Sequence, residues 1–338
     1  MPPGYYFGNM DVNIPSPVPA RGLNSKNFFE DSSASVGTLY RHCKTKDLPR
    51  IGSTIRLGTL AEFRTNENAA VRDKDEGLFR VSLTFASDTN VDCDKLKRLT
   101  LGTAPEVAGF HDSNLTTQVF AGNFTTAAIH CTDDDLFIGQ SAMNVDANVP
   151  QQKFISLRGT INIMAESADA YLLCFSRSNR PKSVIMDSAY DAMWTLPAGN
   201  ISQFANKMVV LLAEVLKQGG CLSDKTIGPL NAPGIAAPPV GDGFFPAVEV
   251  SIAAVQYRDK EMLLSRDLTE DLISEVHERI DNSPIIKPRA FEHEDEVRMI
   301  FRPVMIEKAT GNCYLFPNYL NPQFILADRL MELVEVPH

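Results

Sequence analysis

The residues best suited to chemistry lie near the C-terminus, where charged and apolar side chains alternate. Glu294, Glu296 and Arg298 are spaced two residues apart, and Val297 and Met299 alternate with them. In an extended chain, residues two apart share one face. We therefore expect the two carboxylates and the guanidinium to project together, while the two apolar side chains face a core. Two carboxylates beside a cation can move protons or stabilise positive charge that develops during a reaction.

Two interpretations of this charged face are open, because charges on a packed strand are costly to bury. In the first, the face lines a cleft in which the charges are used. In the second, the segment is an edge strand whose charged outer face prevents aggregation with other sheet edges. The residue types and their spacing fit both interpretations.

The elements that must position this motif are mostly strands. Apolar and polar residues alternate from Phe79 to Phe85, as in a half-buried strand. Strand-like patterns also cover Lys153–Ile163, Ala170–Ser176, Val248–Tyr257 and Val297–Ile306. Two helices are predicted, one over Ile201–Lys217 from its apolar stripe and one after Thr269, a good N-cap. We therefore predict an α+β fold of mostly antiparallel sheets with a few flanking helices.

The chain is expected to form one elaborated domain with two irregular segments. It has 338 residues, a length that fits one such domain or two smaller ones. Residues 1–36 are rich in Pro, Asn, Ser and Gly, which predicts an extended N-terminal arm. Gly and Pro also punctuate residues 219–246, which predicts a long functional loop. Residues 37–338 then form a single α+β domain that includes this loop.

Composition narrows the expected partners and compartment. Acidic residues number 42 and basic residues 32, so the net charge of −10 argues against stable, broad nucleic-acid binding. The N-terminus lacks the basic start and apolar run of a signal peptide, and no apolar stretch is long enough to cross a membrane. Six cysteines without C-x-x-C spacing predict reduced thiols and no metal site. We therefore expect a cytoplasmic protein.

The C-terminal motif also resembles a known signature. Lys-x-x-x-Phe-x-x-Glu-x-Glu-x-Arg, formed by Lys287, Phe291, Glu294, Glu296 and Arg298, is similar to the closing motif of a widespread uncharacterised bacterial and phage family. That family resembles the ADP-ribosyltransferase-like group and is often found near defence genes. Segments that resemble its earlier elements occur in the same order: Leu39–His42, Arg56–Arg64 followed by Asp73–Gly77, Leu172–Ser178 and Val255–Asp259.

The resemblance implies an ADP-ribosyltransferase-like core that uses NAD as a substrate. Loss of nicotinamide from NAD leaves a cationic ribose, which a neighbouring carboxylate stabilises. The resemblance implies that Glu296 lies beside this ribose and that Glu294 orients or deprotonates the acceptor. It also implies a set of NAD-contacting residues: Arg41 or His42 for the pyrophosphate or ribose, Ser176 with Ser178 for strand geometry and ribose, Tyr40 or Phe291 for stacking on nicotinamide, and Arg298.

These implications favour an NAD-dependent ADP-ribosyltransferase-like enzyme that modifies a macromolecular or small acceptor. It would act as a toxin or antiviral factor in bacterial–phage conflict. The alternative is a non-catalytic phage or defence protein that binds a partner on the same scaffold. The arm 1–36 and the loop 219–246 are where such a partner is expected to bind. A nuclease or nucleic-acid-modifying factor is a third option.

The charged segment from Arg72 to Gly77 also has two interpretations. Its dense charge is typical of a solvated hairpin turn. If the resemblance holds, the same segment flanks the nucleotide cleft.

Overall fold

Two large β-sheets, two two-stranded sheets and several helices make up the described fold in a computed structural model of the chain. The structure describes residues 18–19, 37–65, 74–92, 95, 99, 116–121, 124–131, 137–140, 154–167, 169–179, 190–217, 221–226, 243–264, 268–310, 313–315 and 318–336.

Strands outnumber helices among the described elements. The strands are β1 (Val18–Pro19), β2 (Leu39–Cys43), β3 (Thr54–Thr59), β4 (Leu78–Asp92), β5 (Thr116–Ala121), β6 (Phe124–Cys131), β7 (Phe137–Gln140), β8 (Phe154–Ser167), β9 (Tyr171–Ser176), β10 (Ala192–Leu196), β11 (Leu222–Thr226), β12 (Phe244–Ala254), β13 (Gln256–Tyr257), β14 (Glu261–Leu264), β15 (Ile286–Lys287), β16 (Glu296–Glu307), β17 (Cys313–Leu315), β18 (Asn318–Leu320) and β19 (Gln323–Leu326). The α-helices are α1 (Pro49–Gly52), α2 (Leu60–Thr65), α3 (Ile201–Lys217) and α4 (Glu270–Asp281).

β16 is a central strand of the larger sheet, which has nine described strands. β12 pairs antiparallel with β16 along one edge, whereas β9 and β17 share the other edge. The far edge of β9 is divided between two strands. β2 pairs with β9 at Ser176, and β3 pairs with it at Tyr171 and Leu172. The remaining strands β10, β19 and β1 pair with β2, β3 and β17 respectively.

One face of this sheet carries the main hydrophobic core. Val297, Met299 and Phe301 project from β16 into that core, as their spacing predicts. The amphipathic helix α3 packs against the same face, with its apolar stripe toward the sheet. The ring of Phe204 on α3 lies 6.4 Å from that of Phe175 on β9, at a near-perpendicular angle that suits aromatic quadrupoles.

The second sheet has six described strands in the order β14–β4–β8–β6–β5, with β7 also paired to β8. α4 packs against β4 and β8 through its apolar side chains. The helix starts as predicted, because the Leu272 N–H donates to the Thr269 hydroxyl at 3.2 Å and caps the first turn. β14 pairs with β4 in parallel, whereas the other ladders of this sheet are antiparallel.

A tight turn at residues 74–77 brings the start of β4 against α2. Gly77 has a φ of +68°, a conformation that glycine adopts without strain, and its carbonyl accepts the Ser167 N–H at 2.8 Å. Arg64 on α2 donates from Nη1 to the Glu76 carbonyl at 2.9 Å. These two hydrogen bonds therefore fix the position of the turn, and with it that of Glu76.

The predicted α+β class and the mostly antiparallel pairing are confirmed. The helix predicted over Ile201–Lys217 has those bounds. The strand predicted over Val248–Tyr257 is instead interrupted at Val255, between β12 and β13. The Val255 N–H still donates to the Glu296 carbonyl of β16, at 2.9 Å.

The irregular segments predicted at 1–36 and 219–246 fall largely outside the described residues. Within the first, Val18–Pro19 forms a short ladder with β17. Within the second, Leu222–Thr226 is a strand that pairs with β18, and β12 already begins at Phe244. Pairing with a neighbouring strand orders these parts, which their local composition did not indicate.

Candidate active site

The five residues of the C-terminal motif converge on one buried cluster. Lys287 Nζ donates to Glu294 Oε2 at 2.6 Å and to Glu296 Oε2 at 2.8 Å. The ring centroid of Phe291 lies 4.8 Å from the same ammonium. The motif therefore holds one cation against two carboxylates and the face of an aromatic ring.

Arg298 extends this cluster toward the second sheet. Its Nε donates to Glu296 Oε1 at 2.7 Å, so both oxygens of that carboxylate bond to cations. Its Nη1 and Nη2 donate to the two oxygens of Glu76 at 2.5 and 3.1 Å. Nη1 also donates to the carbonyl of Pro284. Charges thus alternate from Glu76 through Arg298, Glu296 and Lys287 to Glu294, and we call these five residues the ion network.

Burial makes the pairing within the ion network essential. The side chains of Glu76, Glu294, Glu296 and Arg298 are at most 3% exposed. Burial alone raises the pKa of Glu296, but attraction from Arg298 and Lys287 outweighs it and holds that pKa well below its usual range. Arg298 likewise outweighs burial and lowers the pKa of Glu76. Both carboxylates are therefore ionised at neutral pH.

The same attraction keeps the two cations charged. Burial alone lowers the pKa of Lys287, but the carboxylates of Glu296 and Glu294 outweigh it and raise that pKa. Glu296 and Glu76 similarly raise the pKa of Arg298. Glu76, Lys287, Glu296 and Arg298 thus depend on one another for their charge states.

Glu294 reaches the cluster by a different route from the one predicted. We expected an extended segment with Glu294, Glu296 and Arg298 on one strand face, but Arg289–Glu294 forms a 3₁₀ turn. Asp295 then adopts a left-handed conformation with a φ of 44°, and the strand begins only at Glu296. Ser176 Oγ donates to the Glu294 carbonyl at 2.8 Å and the Arg177 N–H to the Asp295 carbonyl at 3.0 Å, which fixes this reversal.

The prediction of a charged edge strand is wrong. β16 has strand partners on both edges, and the side chains of its first eleven residues are buried. Glu76 and Pro284 cover Arg298 on this face. A buried face tolerates these charges because each carboxylate of the ion network has a cationic partner.

Three of the predicted site residues form a row across neighbouring strands. Tyr40 on β2 is in register with Ser176 on β9, and Ser176 is in register with Glu296 on β16. Residues in register on antiparallel strands project on the same face, about 5 Å apart. Tyr40 is partly exposed, whereas Ser176 and Glu296 are buried. The row therefore runs from the ion network toward solvent.

Other predicted residues lie around this row. Arg41 lies on the same face of β2 as the core residues Leu39 and Cys43, opposite to Tyr40. Its Nη1 donates to the Cys174 carbonyl at 2.5 Å, where the edge of β9 is divided. The Ser178 N–H donates to Ser176 Oγ at 3.1 Å.

His42 and Cys174 occupy positions with less access to the row. His42 pairs with Met193 on β10 and lies two residues past Tyr40, the residue at which β2 pairs with β9. Cys174 is in register with Arg298. Burial raises the pKa of the Cys174 thiol to about 12, so this thiol is protonated at neutral pH and is a poor nucleophile.

Tyr257 anchors the first residue of β16. Its hydroxyl oxygen accepts the Glu296 N–H at 2.7 Å, and Tyr257 pairs with Lys287 between β13 and β15. Burial, followed by repulsion from the Glu296 and Glu294 carboxylates, raises the pKa of this phenol. Tyr257 therefore keeps its proton at neutral pH, and the residue is partly exposed.

Sequence reasoning assigned no role to Lys287 or Tyr257 and did not place Glu76 in the site. The sequence analysis included Lys287 only as part of the C-terminal motif and Tyr257 only as part of the segment Val255–Asp259. Glu76 belongs to the segment from Arg72 to Gly77, whose dense charge is also typical of a solvated hairpin turn. Its side chain is 1% exposed and binds Arg298, so this part of the segment is not solvated. A buried arginine requires an acidic partner, but the sequence does not say which of many acidic residues supplies it.

Within the described residues, no three His, Cys, Asp or Glu side chains are grouped so that they could hold a metal ion. No helix in the described part of the chain is long and apolar enough to cross a membrane.

Comparison of the chain with protein-family models, with curated proteins and with solved structures found no match.

Proposed function

We propose that this protein is an ADP-ribosyltransferase-like enzyme with an ADP-ribosyltransferase-like core. It uses NAD to modify a macromolecular or small acceptor, and it acts in the cytoplasm during bacterial–phage conflict. The proposal rests on the resemblance of the motif from Lys287 to Arg298 to that group. One structural observation supports it most strongly: Tyr40, Ser176 and Glu296, predicted separately from three distant segments, lie in register on adjacent strands.

The chemistry of this proposal requires a carboxylate that stays ionised near the ribose. Cleavage of the bond between nicotinamide and ribose builds positive charge on the sugar. Lys287 and Arg298 keep Glu296 ionised in a buried setting, where its field is less screened than in water. In this proposal Glu296 stabilises the ribosyl cation, and Glu294 receives the proton of the attacking acceptor.

The partly exposed residues around the ion network would bind the rest of NAD. Tyr40 and Phe291 carry aromatic rings at its border, and one of them would stack on nicotinamide. Arg41 would contact the pyrophosphate or ribose with the guanidinium donors that the Cys174 carbonyl does not use. Arg298 and Ser176 would not contact NAD directly. Arg298 would hold the side chain of Glu296 in place, and Ser176 would hold the backbone of Glu294.

A second candidate is a non-catalytic binding protein on the same scaffold. One observation favours it: both oxygens of Glu296 already bond to cations, and this carboxylate is 3% exposed. Such a network is fully satisfied without a ligand. In this case the five charged residues stabilise the fold, and recognition of a protein partner takes place elsewhere.

The proposed enzyme is tested by incubating purified protein with NAD and measuring free nicotinamide. A parallel incubation with labelled NAD and cell lysate measures transfer to an acceptor. The wild type is expected to release nicotinamide, and Glu296→Gln is expected to lower the rate about 100-fold or more, as for loss of an electrostatic stabiliser. Tyr40→Ala, which leaves every buried charge in place, is expected to lower the rate less.

Glu249→Gln is the matched control for Glu296→Gln. Glu249 also pairs with an arginine of β16, Arg302, at 3.3 Å, but it lies outside the row. Its replacement is expected to leave nicotinamide release unchanged. Thermal unfolding of each variant confirms that it is folded during the assay. Absence of both nicotinamide release and label transfer by folded wild type would reject the enzyme and favour the second candidate.

A further inference from the structure

Access to the ion network is limited to its border. Glu76, Glu294, Glu296 and Arg298 are at most 3% exposed, and Lys287 is 8% exposed. Every carboxylate oxygen of Glu296 and Glu76 already accepts a hydrogen bond from a cation. A ligand therefore cannot reach these oxygens without displacing a buried ion-pair partner, which is strongly unfavourable.

Tyr257 differs from the buried network residues that it adjoins. Tyr257 is partly exposed, and its hydroxyl oxygen accepts the Glu296 N–H at 2.7 Å. A phenol can accept one hydrogen bond and still donate its own proton. Within the described residues, no acceptor takes that proton. The hydroxyl is thus held in place by the backbone of the residue that carries the candidate catalytic carboxylate, with its donor still available.

We infer that Tyr257 is a ligand-contacting residue of this site and donates a hydrogen bond to a ribose oxygen of NAD. This inference rests on the proposed function, and it adds Tyr257 as the residue that contacts the substrate at the border of the ion network. Sugar hydroxyls and the ring oxygen are hydrogen-bond acceptors, which matches the donor that the Tyr257 hydroxyl offers. The bond from the Glu296 N–H holds the phenol at a constant distance from the carboxylate, so the ribose is placed relative to Glu296.

Tyr257→Phe is the direct test because it removes the hydroxyl and keeps the ring. Isothermal titration calorimetry with NAD measures the effect on the complete chain. We expect Tyr257→Phe to weaken NAD binding about five- to tenfold, as for the loss of one hydrogen bond. Tyr171→Phe is the matched control, because the Tyr171 hydroxyl is buried in the main core and donates to the Cys221 carbonyl at 3.2 Å. This control is expected to bind NAD as the wild type does.

Hydroxyl-radical footprinting of the wild type gives a second measurement that needs no variant. Bound NAD is expected to lower the oxidation of Tyr257 at least twofold and to leave the exposed Phe324 on β19 unchanged. NAD binding with unchanged affinity in Tyr257→Phe, or with no protection of Tyr257, overturns the inference and leaves the proposed function standing. No NAD binding and no nicotinamide release by the wild type overturn both.

Discussion

The two faces of β16 are equally buried but are stabilised by different forces. On one face, Val297, Met299 and Phe301 pack into the main core. On the other, Glu296 and Arg298 are as inaccessible to water but bond to particular partners. Apolar burial is non-directional and tolerates exchange between side chains of similar volume. A buried charge instead requires each of its partners. The apolar face is therefore tolerant of change, and the charged face is specific.

A second comparison, between two glutamates on the charged face, shows how the number of cationic partners affects the pKa of a buried carboxyl group. Glu296 has two cationic partners, and its pKa is lowered despite burial. Glu249 has one partner, Arg302 at 3.3 Å, and burial outweighs that attraction and raises its pKa. The same sheet face thus holds one carboxylate that is firmly ionised and one that protonates more readily. Only the former suits stabilisation of a cation.

Removal of Arg298 is expected to have the largest effect on stability. Arg298→Met leaves the buried carboxylates of Glu76 and Glu296 without their shared partner. We expect it to lower the free energy of unfolding by about 3–5 kcal/mol, as measured by urea denaturation. Arg302→Met is the matched variant on the same strand and should cost less, because Glu249 can protonate. Equal losses in the two variants would contradict the comparison.

Removal of Lys287 is expected to cost about 3 kcal/mol at pH 7, because a buried pair loses one partner. Glu294 and Glu296 then face each other without the ammonium that joins them, and only Arg298 still pairs with Glu296. Mutual repulsion therefore raises the pKa of one of the two glutamates. Protonation relieves this repulsion, and the deficit of Lys287→Met relative to wild type should shrink as the pH falls from 7 toward 5. Urea denaturation of both proteins at the two pH values measures the change.

The wild type is expected to respond to acid in the opposite direction. The pKa of Glu296 is lowered in the folded state, so its stabilising contribution is present above the ordinary glutamate pKa and is lost as the pH falls below it.

The control for Lys287→Met is a double variant. Combining Lys287→Met with Glu294→Gln removes the repulsion and should restore part of the stability at pH 7. If the double variant is no more stable than Lys287→Met, repulsion between the two glutamates is not the cause.

Exchange on the apolar face is expected to have a smaller effect. Met299→Leu keeps the volume and the apolar character of a buried core side chain. We expect a loss of less than about 1.5 kcal/mol in the free energy of unfolding, with no change in its pH dependence. A loss as large as that of Arg298→Met would show that packing on this face is also highly specific.

The exposed ion pair beside the site is expected to have the smallest effect. Arg177 bonds to Asp295, but their side chains are 49% and 39% exposed. Arg177→Gln should therefore change the free energy of unfolding by less than about 1 kcal/mol, and the change should shrink in high salt. A decrease of more than about 3 kcal/mol in the free energy of unfolding, unaffected by salt, would show that this exposed pair stabilises the fold as much as a buried pair does.

Much of the local structure followed from periodicity and capping. The apolar stripe of α3, the N-cap at Thr269 and the alternation on β16 all predict elements that are present. These signals are local, since they depend on residues within a few positions of one another. The break at Glu294 was missed because a 3₁₀ turn and one left-handed residue, Asp295, have no strong signal in a charged segment.

Residue types and spacing alone determined that β16 has one apolar and one charged face, because side chains alternate along any strand. Only the tertiary structure decided that both faces are buried, since that depends on what packs above each of them. The partner that makes burial possible, Glu76, is more than 200 positions from Arg298. Long-range pairing of this kind depends on how two sheets meet, and no local pattern of the chain encodes it.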